Sequence, residues 1–213
     1  MRRMVRAALV FGLALLVGCA GGMASLQEPV EGKNLLIGSV IFENSGYQNR
    51  YDVYFANVEV AVIGYSQEDG KEKLFGKWVV TDENGYFFIP NVPDGKYALK
   101  GLRVNMPGVA FLTIANEFRS TVSNYEIQPS ETVAFSGTFF DIRPENRIVN
   151  LKHNYFTLFS NREIRHGAYD RISAFTASNG QEIERPPIFQ YFLEKFPHTG
   201  WRPFLEAELA RVR

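Results

Sequence analysis

The sequence predicts a mainly β protein, a β-sandwich with extra strands that ends in two short C-terminal helices. Three observations lead there. From residue 35 onward, short runs rich in Val, Ile, Phe and Tyr recur with apolar side chains at period two. Turn-forming pairs separate them at close intervals. After Pro186-Pro187 the apolar spacing changes to that of a helix. Short strands with turn chemistry between them favour two packed antiparallel sheets.

Residues 35–42 are apolar and β-branched, a first strand. In Val58-Glu59-Val60-Ala61-Val62-Ile63 the three valines share one face. A polar loop with Asp69-Gly70 leads to a strand over 74–81. Asp82-Glu83-Asn84-Gly85 follows, its Asn-Gly pair suited to the positive φ of a tight hairpin, with 86–89 as the return strand. Pro93-Asp94-Gly95 marks another turn, before a strand over 96–104. Residues 121–127 and 132–142 flank Gln128-Pro129-Ser130-Glu131 as a hairpin, and 148–159 offers one or two more strands. Ile188, Phe189, Phe192, Leu193 and Phe196 recur at helical spacing, as do Phe204, Leu205, Leu209 and Val212 after Pro203. Helices this short are marginal alone, so their apolar faces need a partner. They either cap the sandwich or dock another protein or a membrane.

The stretch 58–99 carries a longer pattern. It contains Thr81-Asp82-Glu83-Asn84-Gly85-Tyr86-Phe87-Phe88-Ile89 and then Asn91-Val92-Pro93-Asp94-Gly95-Lys96-Tyr97-Ala98-Leu99. This resembles the carboxypeptidase regulatory-like, transthyretin-like (Ig-like) family of β-sandwiches, in which Thr-Asp-x-x-Gly-x-Phe precedes Val-Pro and Gly-x-Tyr. The resemblance implies a core cluster of Phe87, Ile89, Tyr97 and Leu99. It also implies a module that supports, positions or binds and rarely catalyses. A simple domain of this type ends well before residue 142, and residues 105–213 have no match in the pattern.

The N-terminus has a separate message. Arg2, Arg3 and Arg6 precede an eleven-residue apolar stretch, 7–17, too short to span a bilayer. Gly18 and Cys19 follow, and Cys19 is the chain's only cysteine. The arrangement resembles a bacterial lipoprotein signal. That implies cleavage after Gly18 and lipidation of Cys19 with several acyl chains, palmitate among them. Each buried methylene contributes about 0.8 kcal/mol, so several chains hold stably where one does not. Ala20 stands where aspartate signals inner-membrane retention, which points to the outer membrane with the protein facing the periplasm. The expected organisation is a signal peptide over 1–18, a lipidated tether over 19–33, a sandwich over 34–142 and a C-terminal extension over 143–213 packed on it. Fourteen tether residues, 20–33, reach about 20 Å as a flexible coil.

Composition narrows the function. Without residues 1–18, 195 residues remain, with 20 basic against 23 acidic side chains, net −3. No basic face for nucleic acid follows from that balance. With Cys19 acylated no disulfide is available, so stability must come from a core. His153, His166 and His198 are not spaced as a helical metal pair, and 162–170 reads as a solvated loop. Asp82, Asn84 and Gly85 lack the oxygen ladder of a calcium loop. No nucleophile elbow, phosphate loop or dinucleotide fingerprint appears. No catalytic residue, metal ligand or cofactor is therefore assigned. Trp201, between the two helices beside Arg202, is the candidate binding anchor. The expected role is a non-enzymatic envelope module with a protein partner and a membrane anchor. The alternative is a carbohydrate or small-ligand binder using the exposed members of 18 Phe, 10 Tyr and 2 Trp.

Overall fold

The structure, a computed structural model, describes residues 25–212 apart from 69–70, 107–108, 117–130, 136–138, 143–146 and 172–173. It is mainly β, with two large sheets, a small hairpin and two short C-terminal helices. Among the described residues, no helix is long and apolar enough to cross a membrane.

β1 (Asn34–Ser45) organises the first sheet, and eleven of its twelve residues are buried. It pairs in parallel with β10 (Ile148–Phe159), from Leu35 opposite Ile148 to Ser45 opposite Phe159. Its other edge pairs with β5 (Tyr86–Val92) near its start and with β2 (Tyr51–Tyr54) near its end. β11 (Ile164–Tyr169) adds to the far side of β10. A continuous apolar run such as 35–42 suits a strand buried on both faces. The second sheet runs β4 (Lys71–Val80), β3 (Glu59–Glu68), β6 (Gly95–Met106), β7 (Val109–Asn116) and β8 (Glu131–Phe135), with β9 (Phe139–Ile142) also on β6. The small hairpin joins β12 (Ala174–Thr176) to β13 (Glu182–Glu184).

One turn differs from expectation. Residues 81–85 do not close a hairpin, because β4 lies in the second sheet while β5 pairs with β1. The turn is an arch from sheet to sheet, with Gly85 at φ +77°. A Cβ there would come within 2.8 Å of the Val40 carbonyl oxygen. The 93–94 link is a second arch, returning the chain to β6. Other differences are additions: β2, β7, β12 and β13 were not anticipated. Residues 164–169 form a strand where a solvated loop was expected. The anticipated strand over 121–127 lies outside the described residues.

Two apolar clusters follow from strand alternation. Leu36, Val40, Phe42, Phe87, Ile89, Leu151, Phe156 and Leu158 face Val60, Val62, Tyr97, Leu99 and Leu102 between the sheets. Phe87, Ile89, Tyr97 and Leu99 thus share one core. The opposite face of the first sheet offers Leu35, Ile37, Tyr86 and Ile148, which are covered by α1 (Ile188–Lys195) and α2 (Arg202–Arg211). The molecule is therefore three layers: sheet, sheet and helical cover. Since β10 pairs along the whole of β1, the chain beyond residue 142 supplies an inner strand of the sandwich as well as its cover.

Candidate functional site

The end of the sandwich where β1 begins holds the N-terminal segment. The tether expected over 19–33 is corrected in its described part, because residues 26–30 are built into the body. Leu26 is buried with Leu35, Ile37, Ile148, Trp201 and Leu205. The Trp201 indole nitrogen donates to the Gln27 carbonyl oxygen at 2.7 Å, and the Gly200 amide donates to the Glu28 carboxylate at 2.8 Å. Asn91 grips the same segment from the β5 end. Its Nδ2 donates to the Glu28 carbonyl at 3.0 Å, and its Oδ1 accepts the Val30 amide at 2.9 Å. Arg147 completes the clasp, donating to the Val30 carbonyl at 3.1 Å while its guanidinium lies 5.0 Å from the Phe204 ring centre. Cys19 and residues 20–24 lie outside the described residues.

Trp201 is consequently not an exposed anchor. It is fully buried, at 0 % relative exposure. The physical reason is that its ring fills the space between α2 and the N-terminal segment while its N–H finds a buried acceptor. Arg202 is exposed, but its guanidinium serves its own neighbourhood. Nε pairs with Glu206 one helical turn on at 2.8 Å, and Nη1 donates to the Pro197 carbonyl at 3.2 Å.

A polar seam runs between the first sheet and its cover. Asp82 sits at its centre. One carboxylate oxygen accepts the Asn84 and Tyr86 amides at 2.9 Å each, shaping the arch. The other accepts the Tyr191 hydroxyl at 2.6 Å and the Lys195 ammonium, both from α1. Tyr191 stacks on Tyr86 with ring centres 3.8 Å apart. Burial pushes the Tyr86 hydroxyl up to about 12, and that hydroxyl donates to the Pro186 carbonyl at 2.7 Å. Burial, then Asp82, raises Tyr191. Burial acts to lower Lys195, but its bonds to Asp82 and Tyr191 outweigh that and raise it. The Asp-x-x-Gly turn thus doubles as the latch for α1.

The seam continues as buried groups that the sequence reading missed. Arg185 is buried and donates to the Asn84 and Val40 carbonyls, and its Nε has no partner among the described residues. Burial lowers its pKa. Glu43 accepts the Ser178 amide at 2.6 Å and the Tyr155 hydroxyl. Ser39 Oγ lies 2.7 Å from His153 Nδ1. Ser39 and Glu43 were legible only as polar residues four apart, hence on one face, in an otherwise apolar strand. Arg185 had no such signal.

The three histidines are placed apart. His153 is buried in the seam, on the face of β10 that carries Tyr155. Burial, with Arg185 nearby, pushes it down to about 4. His166 lies on the opposite face, stacked 4.3 Å from the Phe156 ring, with Nε2 3.0 Å from Asn154 Oδ1. Burial lowers it too. His198 is exposed in the link between the helices. The Ser39–His153 pair has the spacing of a nucleophile and its base, but both residues are almost fully buried and, among the described residues, His153 Nε2 meets no carboxylate. Among the described residues, no group of three His, Cys, Asp or Glu side chains could hold a metal ion.

The surface offers three well-exposed tyrosines among the described residues: Tyr51 on β2, Tyr65 on β3 and Tyr169 on β11. They lie on three separate strands, Tyr65 in the second sheet and the others at opposite edges of the first. No family model matches the chain, and no curated protein matches it. Among solved structures it is similar to one from Pseudomonas aeruginosa described as a candidate carbohydrate-binding protein. That similarity has 13% identity and a TM-score of 0.22, and it covers 53% of this chain and 92% of that one. A likeness of that size carries no argument about function.

Proposed function

We propose that this chain is a lipid-anchored, non-enzymatic module of a bacterial cell envelope, with a transthyretin-like sandwich that supports or positions a protein partner on the periplasmic side of the outer membrane. The observation that carries the reading is the basic, apolar and Gly18-Cys19 leader placed a few residues before the segment 26–30 that the body clasps. In this reading Cys19 is acylated, the leader is removed, and the clasp around 26–30 leaves only a short segment between the anchor and the body. The polar groups of the seam serve adhesion between layers. The rival reading, carbohydrate binding, would use Tyr51, Tyr65 or Tyr169 one at a time, since Tyr51 and Tyr169 stand at opposite edges of the first sheet and Tyr65 lies in the second.

The test combines mass and partner. Protein purified from native membranes should carry acyl groups on Cys19, and C19A should leave the membrane fraction. Crosslinking in native membranes should recover a defined partner with the wild type and lose it with C19A. A free Cys19 thiol in the mature protein would end the anchoring part of the proposal. Retention on an envelope polysaccharide, abolished by replacing one exposed tyrosine, would instead support the rival.

A further inference from the structure

The clasp around residues 26–30 has a geometric consequence. Cys19 precedes Leu26 by seven residues. That length spans about 25 Å at full extension and about 15 Å as a flexible coil. A tether running to residue 33 would let the body tumble; a leash ending at a buried leucine does not. Leu26 is fixed at the end of the sandwich where β1 starts, beside Asn91, Arg147 and the Gly200-Trp201 corner. β1 then runs twelve residues away from that end, about 40 Å. The opposite end, where Ser45 pairs with Phe159, is farther from the anchor than the leash can bridge.

Resting on the anchoring reading above, we propose that the body is oriented, with the β1-start end and the link between α1 and α2 against the phospholipid headgroups and the β1-finish end directed away from the bilayer. The occupant of the surface around the exposed His198 and Arg202 is the headgroup layer of the leaflet that holds the Cys19 acyl chains. The argument is the length of the leash and the place where it ends. It requires no affinity of the helices for lipid, and the local ion pair of Arg202 with Glu206 is consistent with a surface held near headgroups by its tether. Gly200 reinforces the clasp. A Cβ there would clash with Glu28 Oε2 and lie 2.8 Å from Pro29 Cδ, so a side chain at residue 200 would push Glu28 and Pro29 aside.

The experiment uses the full lipidated protein in phosphatidylethanolamine–phosphatidylglycerol vesicles containing a nickel-chelating lipid as headgroup quencher. H198C and S160C each place a thiol-linked fluorophore at an exposed position, one at each end. Acylated Cys19 does not react with the probe. Headgroup quenching should be several-fold stronger at position 198 than at 160. Twenty Gly and Ser residues inserted between Cys19 and Ser25 should remove that contrast. Equal quenching in vesicle-bound protein overturns the orientation while leaving the anchoring intact, and so does a contrast that survives the insertion. A protein that does not float with vesicles and labels at Cys19 overturns both.

Discussion

Asp82 shows how much one carboxylate can organise. It takes two amides of its own turn and two side chains of α1, and it and Lys195 are each only 11% exposed. D82A would strand the ammonium beside the Tyr191 hydroxyl. A loss of about 3 kcal/mol is expected, read as a fall in denaturant midpoint with faster amide exchange in α1. An unchanged midpoint would refute the latch. His153 sets a pH dependence. Its folded value is about 4 and its ordinary value 6.5. Between those limits the unfolded chain binds a proton that the folded chain refuses, so stability falls as pH drops. The expected loss from this residue is roughly 3 kcal/mol across the window. Chemical denaturation of wild type and H153N from pH 7 to pH 4 isolates it: the variant should show the shallower slope. His166, also lowered, contributes in the same direction in both proteins.

At the scale of elements, the cover is part of the core. α1 and α2 bury Leu35, Ile37, Tyr86 and Ile148 of the first sheet. Uncovering four large apolar side chains removes roughly 6–12 kcal/mol of burial, comparable with the whole stability of a domain. Truncation after Pro187 should therefore abolish cooperative unfolding and expose dye-binding apolar surface. A folded, monodisperse truncate would show that the sandwich stands without its cover. The two arches reveal a second element-scale lesson. The Asn84-Gly85 pair signals a tight reversal with positive φ, and the reversal is present at Gly85. What the pair does not signal is which sheet receives the next strand. That was decided by β1, whose free edge accepts β5, and by Tyr86 and Phe88, whose outward faces meet Tyr191, Phe192 and Phe196.

For the whole molecule, the clasp joins residues 26–30 to the C-terminal cover. Gln27 and Glu28 bond to Gly200 and Trp201, more than 170 positions away. Residues 27–28 and the link that precedes α2 thus meet at the end of the sandwich where β1 begins. Native membrane fractionation should find the wild-type protein with the membranes and C19A in the soluble fraction, with equal unfolding midpoints for the two purified bodies. A C19A protein that stays membrane-bound would require an attachment other than the acylated cysteine. A C19A body of lower stability would show that the anchor contributes to the fold.

The mainly β character, most strands before residue 106, the core residues Phe87, Ile89, Tyr97 and Leu99, and the two helices with their buried faces could be read from the sequence. Each rests on local periodicity or on turn chemistry, which adjacent residues encode. The parallel pairing of β1 with β10, the strand at 164–169, the burial of Trp201 and the docking of residues 26–30 could not. These depend on groups a hundred or more positions apart, or on neighbours brought together by the sheet. A tryptophan between helices reads alike whether its indole meets water or the Gln27 carbonyl. A segment of small residues, glycine and proline reads as a tether until Asn91, Arg147 and Trp201 supply partners for its backbone. Tertiary structure decided these points because long-range packing and hydrogen-bond satisfaction, and not local propensity, set their free energy.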